Sequence, residues 1–166
     1  DEFQALADCD IKSVLWGCAR SFATYYPSKV GSDVRWSYGL PGIMRHGRRA
    51  IERQREQDFD PLRAAVQCAH EIGIEIYPQV RMSGEQLPPN HIDYTGPGDF
   101  QQQHPEYRCL SPEGHRTRHL SQAFAAVRDR YLELFREWVE QYQADGVCIV
   151  FCRSWPYVLF EQPVVD

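Results

Sequence analysis

No apolar run in this 166-residue chain approaches the roughly 20 residues a helix needs to cross a bilayer. The opening Asp1-Glu2-Phe3 carries no initiator Met, basic n-region or apolar h-region, so an intact signal peptide is not expected within it. The expectation is that a leader has been removed or that the chain is cut from something longer. Positive charge is also lacking: the net charge is −5, which argues against nucleic acid as a partner, because that binding is driven by phosphate neutralisation. The six cysteines show neither Cys-x-x-Cys pairs nor the close spacing of a small disulfide scaffold. Reduced, structural cysteines are the expectation, a pattern that fits a reducing compartment and leaves localisation otherwise open. No GxGxxG follows a strand-like run, no P-loop is present, and no G-x-S-x-G elbow appears. Lysine is scarce as well: of 18 basic residues only Lys12 and Lys29 are lysine.

With 43% hydrophobic and 25% charged residues, the composition is that of a single globular domain over 1–166. Three apolar, strand-like runs each end in an arginine: Ile11 to Ala19 then Arg20, Ile74 to Val80 then Arg81, and Val147 to Cys152 then Arg153. Helical patterns lie between them. A polar stretch from Ile43 to Gln57 has few apolar positions. Asp60-Pro61 supplies an N-cap and a first-turn proline for a helix whose face is Leu62, Ala65, Val66, Ala69 and Ile72, with Gly73 as its stop. The third and clearest pattern starts at Ser121 as cap and runs from Phe124 to Tyr142. Asp145-Gly146 then turns the chain into the third run.

Strands too apolar to face water, alternating with helices, predict an α/β fold with parallel strands covered by helices. Helix-to-strand links are short. Strand-to-helix links are long, above all the stretch after Arg81, which lacks periodicity as far as Ser121 and is expected to be a functional loop or disordered. That asymmetry is expected of a (β/α)8 barrel, where ligands bind at the carboxyl ends of the strands. Three strand units are too few for a closed barrel, so the chain is expected to be an arc of a TIM-type barrel and a fragment of a larger one. Its open sheet edges then need the rest of the barrel or a self-association partner.

The arginines at the three strand ends are candidates to grip a planar oxyanion in bidentate fashion. The alternative is a ring of structural ion pairs. The segment His91, His104, Cys109, His115 and His119 invites a metal reading, since His115 and His119 have the spacing that places two imidazoles on one helical face. The absence of paired cysteines argues against it, and no cofactor or metal is expected.

DPLRAAVQCAHEIGIEIYPQVR at Asp60 to Arg81, HPEYRCLSPEG at His104 to Gly114 and ADGVCIVFCR at Ala144 to Arg153 together resemble glycoside-hydrolase-like (β/α)8 barrel proteins. The resemblance implies a carbohydrate ligand and hydrolysis by a pair of carboxyl groups, one protonating the leaving oxygen and one acting as nucleophile or base. It also places His104 in the ligand-binding loop. In many relatives the strand after Asp-Gly carries a carboxylate where this chain has Val150. The remaining acidic candidates are Glu85, Asp93, Asp99, Glu106 and Glu161. Glu161 is favoured as the catalytic acid, because apolar neighbours are expected to raise its pKa. Sugar rings bind to aromatic faces and planar hydrogen-bonding groups, which nominates Trp155, Tyr157, Tyr77, Gln79 and Trp36 beside Arg20, Arg81 and Arg153. Two alternatives stand: a non-catalytic carbohydrate-binding or scaffold domain that has lost its acid, and a metal-dependent hydrolase using the histidine-rich loop.

Overall fold

The computed structural model describes residues 2–33, 42–82, 99–151 and 158–165. Helix α1 (Glu2–Asp8) leads into β1 (Ser13–Arg20), and two short strands follow, β2 (Ala23–Thr24) and β3 (Ser32–Asp33). Helices α2 (Gly42–Glu56) and α3 (Pro61–Glu71) precede β4 (Glu75–Arg81). Then come α4 (Asp99–Gln103), β5 (Arg108–Leu110), β6 (Arg116–Leu120), α5 (Ala125–Arg136), β7 (Cys148–Val150) and the terminal turn α6 (Gln162–Val165).

The main sheet has the order β3-β2-β1-β4-β7, with β1, β4 and β7 mutually parallel. Its three parallel strands are the three arginine-ended runs. In β4 the side chains alternate: Ile76, Pro78 and Val80 are buried, whereas Glu75 and Arg81 on the other face are exposed. The buried face meets Leu62, Ala65, Val66 and Ala69 of α3 and Val127, Tyr131, Leu134 and Trp138 of the α5 region in one apolar core. The other face is not covered at Leu15, which is 59% exposed among the described residues. Among the described residues, cover for the strands is seen on one face. A half-covered parallel sheet agrees with an arc of a barrel, whose bare face would be the barrel interior.

Asp60 caps α3, accepting the N–H groups of Leu62 and Arg63 at 3.1 Å each, and Gly73 at φ 72° ends it in the left-handed region that glycine tolerates. Asp145 then locks the amino end of the sheet. Its Oδ2 accepts the N–H of Ile76 at 2.8 Å and lies 2.9 Å from Nε2 of His70, joining β7, β4 and α3. Burial alone would raise the Asp145 pKa, but the bonds from Ile76 and His70 prevail and hold it below the usual carboxylate value. Gly146 has its own reason. A Cβ there would sit 2.8 Å from Cε1 of Tyr77, so the ring and the chain fit only without a side chain. Pro78 fits a central strand because Ile76, two residues earlier, directs its N–H and C=O to Asp145; the donor that proline lacks therefore faces the edge where pairing with β7 begins only at Gln79.

Two sequence expectations shift. Ser121 does not cap the last long helix, which starts at Ala125 with Phe124 in the cap position; Ser121 is fully buried instead. The stretch after Arg81 is not featureless. It contains α4, a 3-10 turn (Pro105–Tyr107) and an antiparallel β5–β6 hairpin closed at Ser111–Gly114, with Gly114 at φ 81°. His115 and His119 therefore flank and join a strand rather than share a helix face.

Beyond Arg136 the helix widens into a π turn (Glu137–Gln141). Glu137, 2% exposed, accepts hydrogen bonds from the hydroxyls of Tyr26 and Ser28 at 2.7 Å each and from the Lys29 N–H at 2.6 Å. Trp138 Nε1 donates to the Tyr26 oxygen at 2.6 Å, and the Tyr142 hydroxyl donates to Asp60 at 2.8 Å. This buried network ties the segment after β2 to the back of the sheet.

Candidate functional site

Arg20 and Arg81 are Cα partners on adjacent parallel strands, and Arg81 is in turn the partner of Val150. The sequence-level coincidence is thus a row across the carboxyl end of the sheet: Arg20, Arg81, Val150. A further row toward the amino end runs Gly17, Gln79, Cys148. Arg153, Trp155 and Tyr157 lie outside the described residues, as do Trp36, Glu85, His91 and Asp93.

The row is held from behind. Ser21, directly after Arg20, turns the chain at φ 50° and gives its N–H to the Arg81 carbonyl at 2.7 Å. Its hydroxyl lies 3.0 Å from that of Tyr131, which donates to the Met82 carbonyl at 3.3 Å. The Met82 N–H reaches the Val150 carbonyl at 3.2 Å. A left-handed, non-glycine residue at such a position is a cost that the surrounding bonds must outweigh.

Tyr25, which the sequence reading did not single out, joins the row. Burial raises its pKa, and the opposing pull comes from Arg20 and Arg81, so its phenol lies in the field of both cations. Its presence in the aromatic pair after β1 was the available signal. Gln79 lies on the bare face with Arg81. Tyr77, further toward the amino end, donates to Glu75 at 3.0 Å, and that carboxylate raises the phenol's pKa. Its hydroxyl is thereby directed away from the arginine row.

The hairpin region adjoins the rim through Phe22 and Phe100, whose rings lie 5.1 Å apart. His104 stacks on Tyr107 at 5.0 Å and its Nδ1 lies 2.8 Å from Glu106, whose pKa the histidine lowers. Burial lowers the His119 pKa to about 4. Cys109 is fully buried, and burial, with the nearby Glu161 carboxylate, pushes its thiol up to about 12. Among the described residues no group of three or more His, Cys, Asp or Glu side chains could hold a metal ion.

Glu161 is 1% exposed. Burial alone would raise its pKa, as expected from the sequence, but the bonds from Ser121 and from the backbone N–H groups of Leu159 and Leu110 outweigh it and the net shift is downward. Those N–H groups lie 3.0 and 3.1 Å from its oxygens. The carboxylate pins the tail to β5, and its lowered pKa favours the ionised form. The expected direction of its shift is corrected accordingly.

Chemically, the row offers two guanidinium groups, with the Gln79 carboxamide on the Arg81 side of β4 and the Tyr25 phenol in their field, a set suited to a planar oxyanion and neighbouring hydroxyls. Its third strand contributes valine, so among the described residues the row itself carries no acid.

No family model and no curated protein matches the sequence. A likeness to a solved structure does exist: the crystal structure of a noncanonic maltogenic alpha-amylase from Thermotoga neapolitana superposes with a TM-score of 0.53 at 14% identity, covering 93% of this chain and 34% of that one. At that identity the likeness speaks for the fold, and the chain spans about a third of the amylase's length. The described residues form a mixed α/β unit on parallel strands, distantly similar in fold to part of a glycoside hydrolase.

Proposed function

We propose that this chain is an arc of a glycoside-hydrolase-like (β/α)8 barrel that binds an acidic glycan across the carboxyl ends of β1 and β4. The observation that carries the reading is the register of Arg20 with Arg81, with Tyr25 in the field of both. Uronate carboxylates and sulfate esters are the planar or compact oxyanions that paired guanidinium groups grip, while Gln79 and the Tyr25 phenol serve ring hydroxyls. Arg153, next in the series, is included by its place after β7. The bare face, with Leu15, meets the remaining strands of the barrel, supplied by a longer polypeptide or by another subunit.

Hydrolysis in this reading proceeds by general acid catalysis without a cofactor, on carboxyl groups other than Glu161. A second reading, binding without hydrolysis, is favoured by Val150 in the row and by the committed, ionised Glu161.

A glycan array containing neutral, uronate-bearing and sulfated oligosaccharides, paired with a panel of chromogenic glycosides, tests both. Binding of anionic glycans that Arg81→Ala weakens supports the site. Binding with no turnover selects the second reading, and equal binding of neutral and anionic glycans removes the role of the arginines.

A further inference from the structure

Beside the arginine row lies a cleft that neither the motifs nor the strand-end arginines point to. It has two adjoining lobes of about 140 and 180 Å³, both walled by Tyr25 and Gln54. The inner lobe runs along Trp16 and Gly17 of β1. The outer lobe opens onto Arg55, Asp58 and Phe59, at the corner between α2 and α3. Tyr25 follows Thr24, the partner of Ala19, and gives its N–H to the Cys18 carbonyl at 2.9 Å, so the cleft adjoins β1 two residues before Arg20.

Three features suit it to a sugar ring. First, Phe59 is 45% exposed at the mouth, and its placement is built: Asp58 adopts φ 50°, and the Phe59 N–H bonds to the Gln54 carbonyl at 2.8 Å. An exposed aromatic held by a left-handed residue costs stability that packing there does not return. Second, Gly17 weakens a strand without a packing reason, since a Cβ on it would meet only Oε1 of Gln79, at 3.8 Å. The Gly17 backbone lines the inner lobe, and the space beside its missing side chain opens toward Gln79. Third, the polar groups are planar or multiply hydrogen-bonding, Gln54, Arg55 and Asp58, which match vicinal hydroxyls, while Trp16, Tyr25 and Phe59 offer aromatic faces. Each lobe has room for more than a single water.

We infer that this cleft is a second subsite, holding a neutral sugar ring of the same glycan whose anionic ring sits on Arg20 and Arg81. The inference rests on the acidic-glycan reading above and adds a length requirement to it. A chain that alternates anionic and neutral rings fills both places, and a single uronate fills only the row.

Titration calorimetry with tetrasaccharides of hyaluronan, chondroitin and polygalacturonate, and with free glucuronate and galacturonate, tests it on the full chain. At least one alternating tetrasaccharide is expected to bind about tenfold or more tighter than its uronate monosaccharide. Phe59→Ala and Gln54→Ala should erase that advantage while leaving monosaccharide binding unchanged. Tetrasaccharide binding that Arg81→Ala weakens but the cleft variants leave intact overturns the subsite and spares the arginine row. No binding by any of these probes overturns both.

Discussion

Arg20 and Arg81 stand opposite one another at the last paired position of two parallel strands, and the Tyr25 phenol feels both. Removing either cation removes a charge that favours the phenolate. Arg81→Ala is therefore expected to raise the Tyr25 pKa further above its ordinary value, and Arg20→Ala likewise. Ultraviolet pH titration against a Tyr25→Phe reference reads the shift. An unchanged titration would separate Tyr25 from the row.

Asp145 makes its contribution in the charged form. Its folded pKa lies below the ordinary value near 4, so the stability it contributes is complete above that value and is lost as pH falls through the folded one. Asp145→Ala leaves the N–H of fully buried Ile76 without its acceptor and should cost about 1–3 kcal/mol in urea unfolding at neutral pH. Asp145→Asn keeps an acceptor oxygen and should cost less, with a flatter stability profile between pH 5 and 3, values that bracket the carboxylate range of about 4.

At Gly146 the conflict is between one atom and one ring. Gly146→Ala should destabilise by about 1–3 kcal/mol, the usual range for overpacking. In a Tyr77→Ala background the same substitution should cost much less, and the double-mutant cycle reports the coupling directly. Equal costs in both backgrounds would mean that the ring is not the obstacle.

Glu161→Gln turns an amide NH2 toward backbone N–H groups that now meet a carboxylate. It is expected to cost about 1–3 kcal/mol and to speed proteolysis of the segment around Leu159, while anionic-glycan binding stays intact. Because the folded pKa is depressed, the Glu161 contribution is complete above its unfolded value and disappears as pH falls through the folded one. Loss of turnover in a variant whose tail remains protected would return Glu161 to catalysis.

Much of this architecture is legible in the residues, and the limits have physical causes. Asp60, Pro61 and Gly73 are local signals, and they bracket α3 as local signals should. The strand-end arginines become a row through register, which the parallel pairing of β1 with β4 supplies. Ser121 looks like a helix cap because a serine before an apolar stripe usually is one. Burial against Glu161 takes it instead, and that partner lies forty residues on, beyond any local pattern. Glu161 shows the same limit from the other side. Its apolar neighbours in sequence predict a raised pKa, yet its spatial neighbours are hydrogen-bond donors. The cleft is least visible of all, since its lining comes from β1, the segment after it and the α2–α3 corner.

The π turn at Glu137–Gln141 makes the last long helix sensitive to phase. A residue in an α-helix advances the azimuth by about 100°, so an insertion or deletion at the turn rotates everything after it by that amount. A change after Trp138 would leave Glu137 and Trp138 on their partners, whereas Tyr142 would swing off Asp60 and unseat the start of α3. Length variation between related chains should therefore gather in the segments that follow the strands and avoid this turn, even though it lies on the side of the sheet away from the arginines.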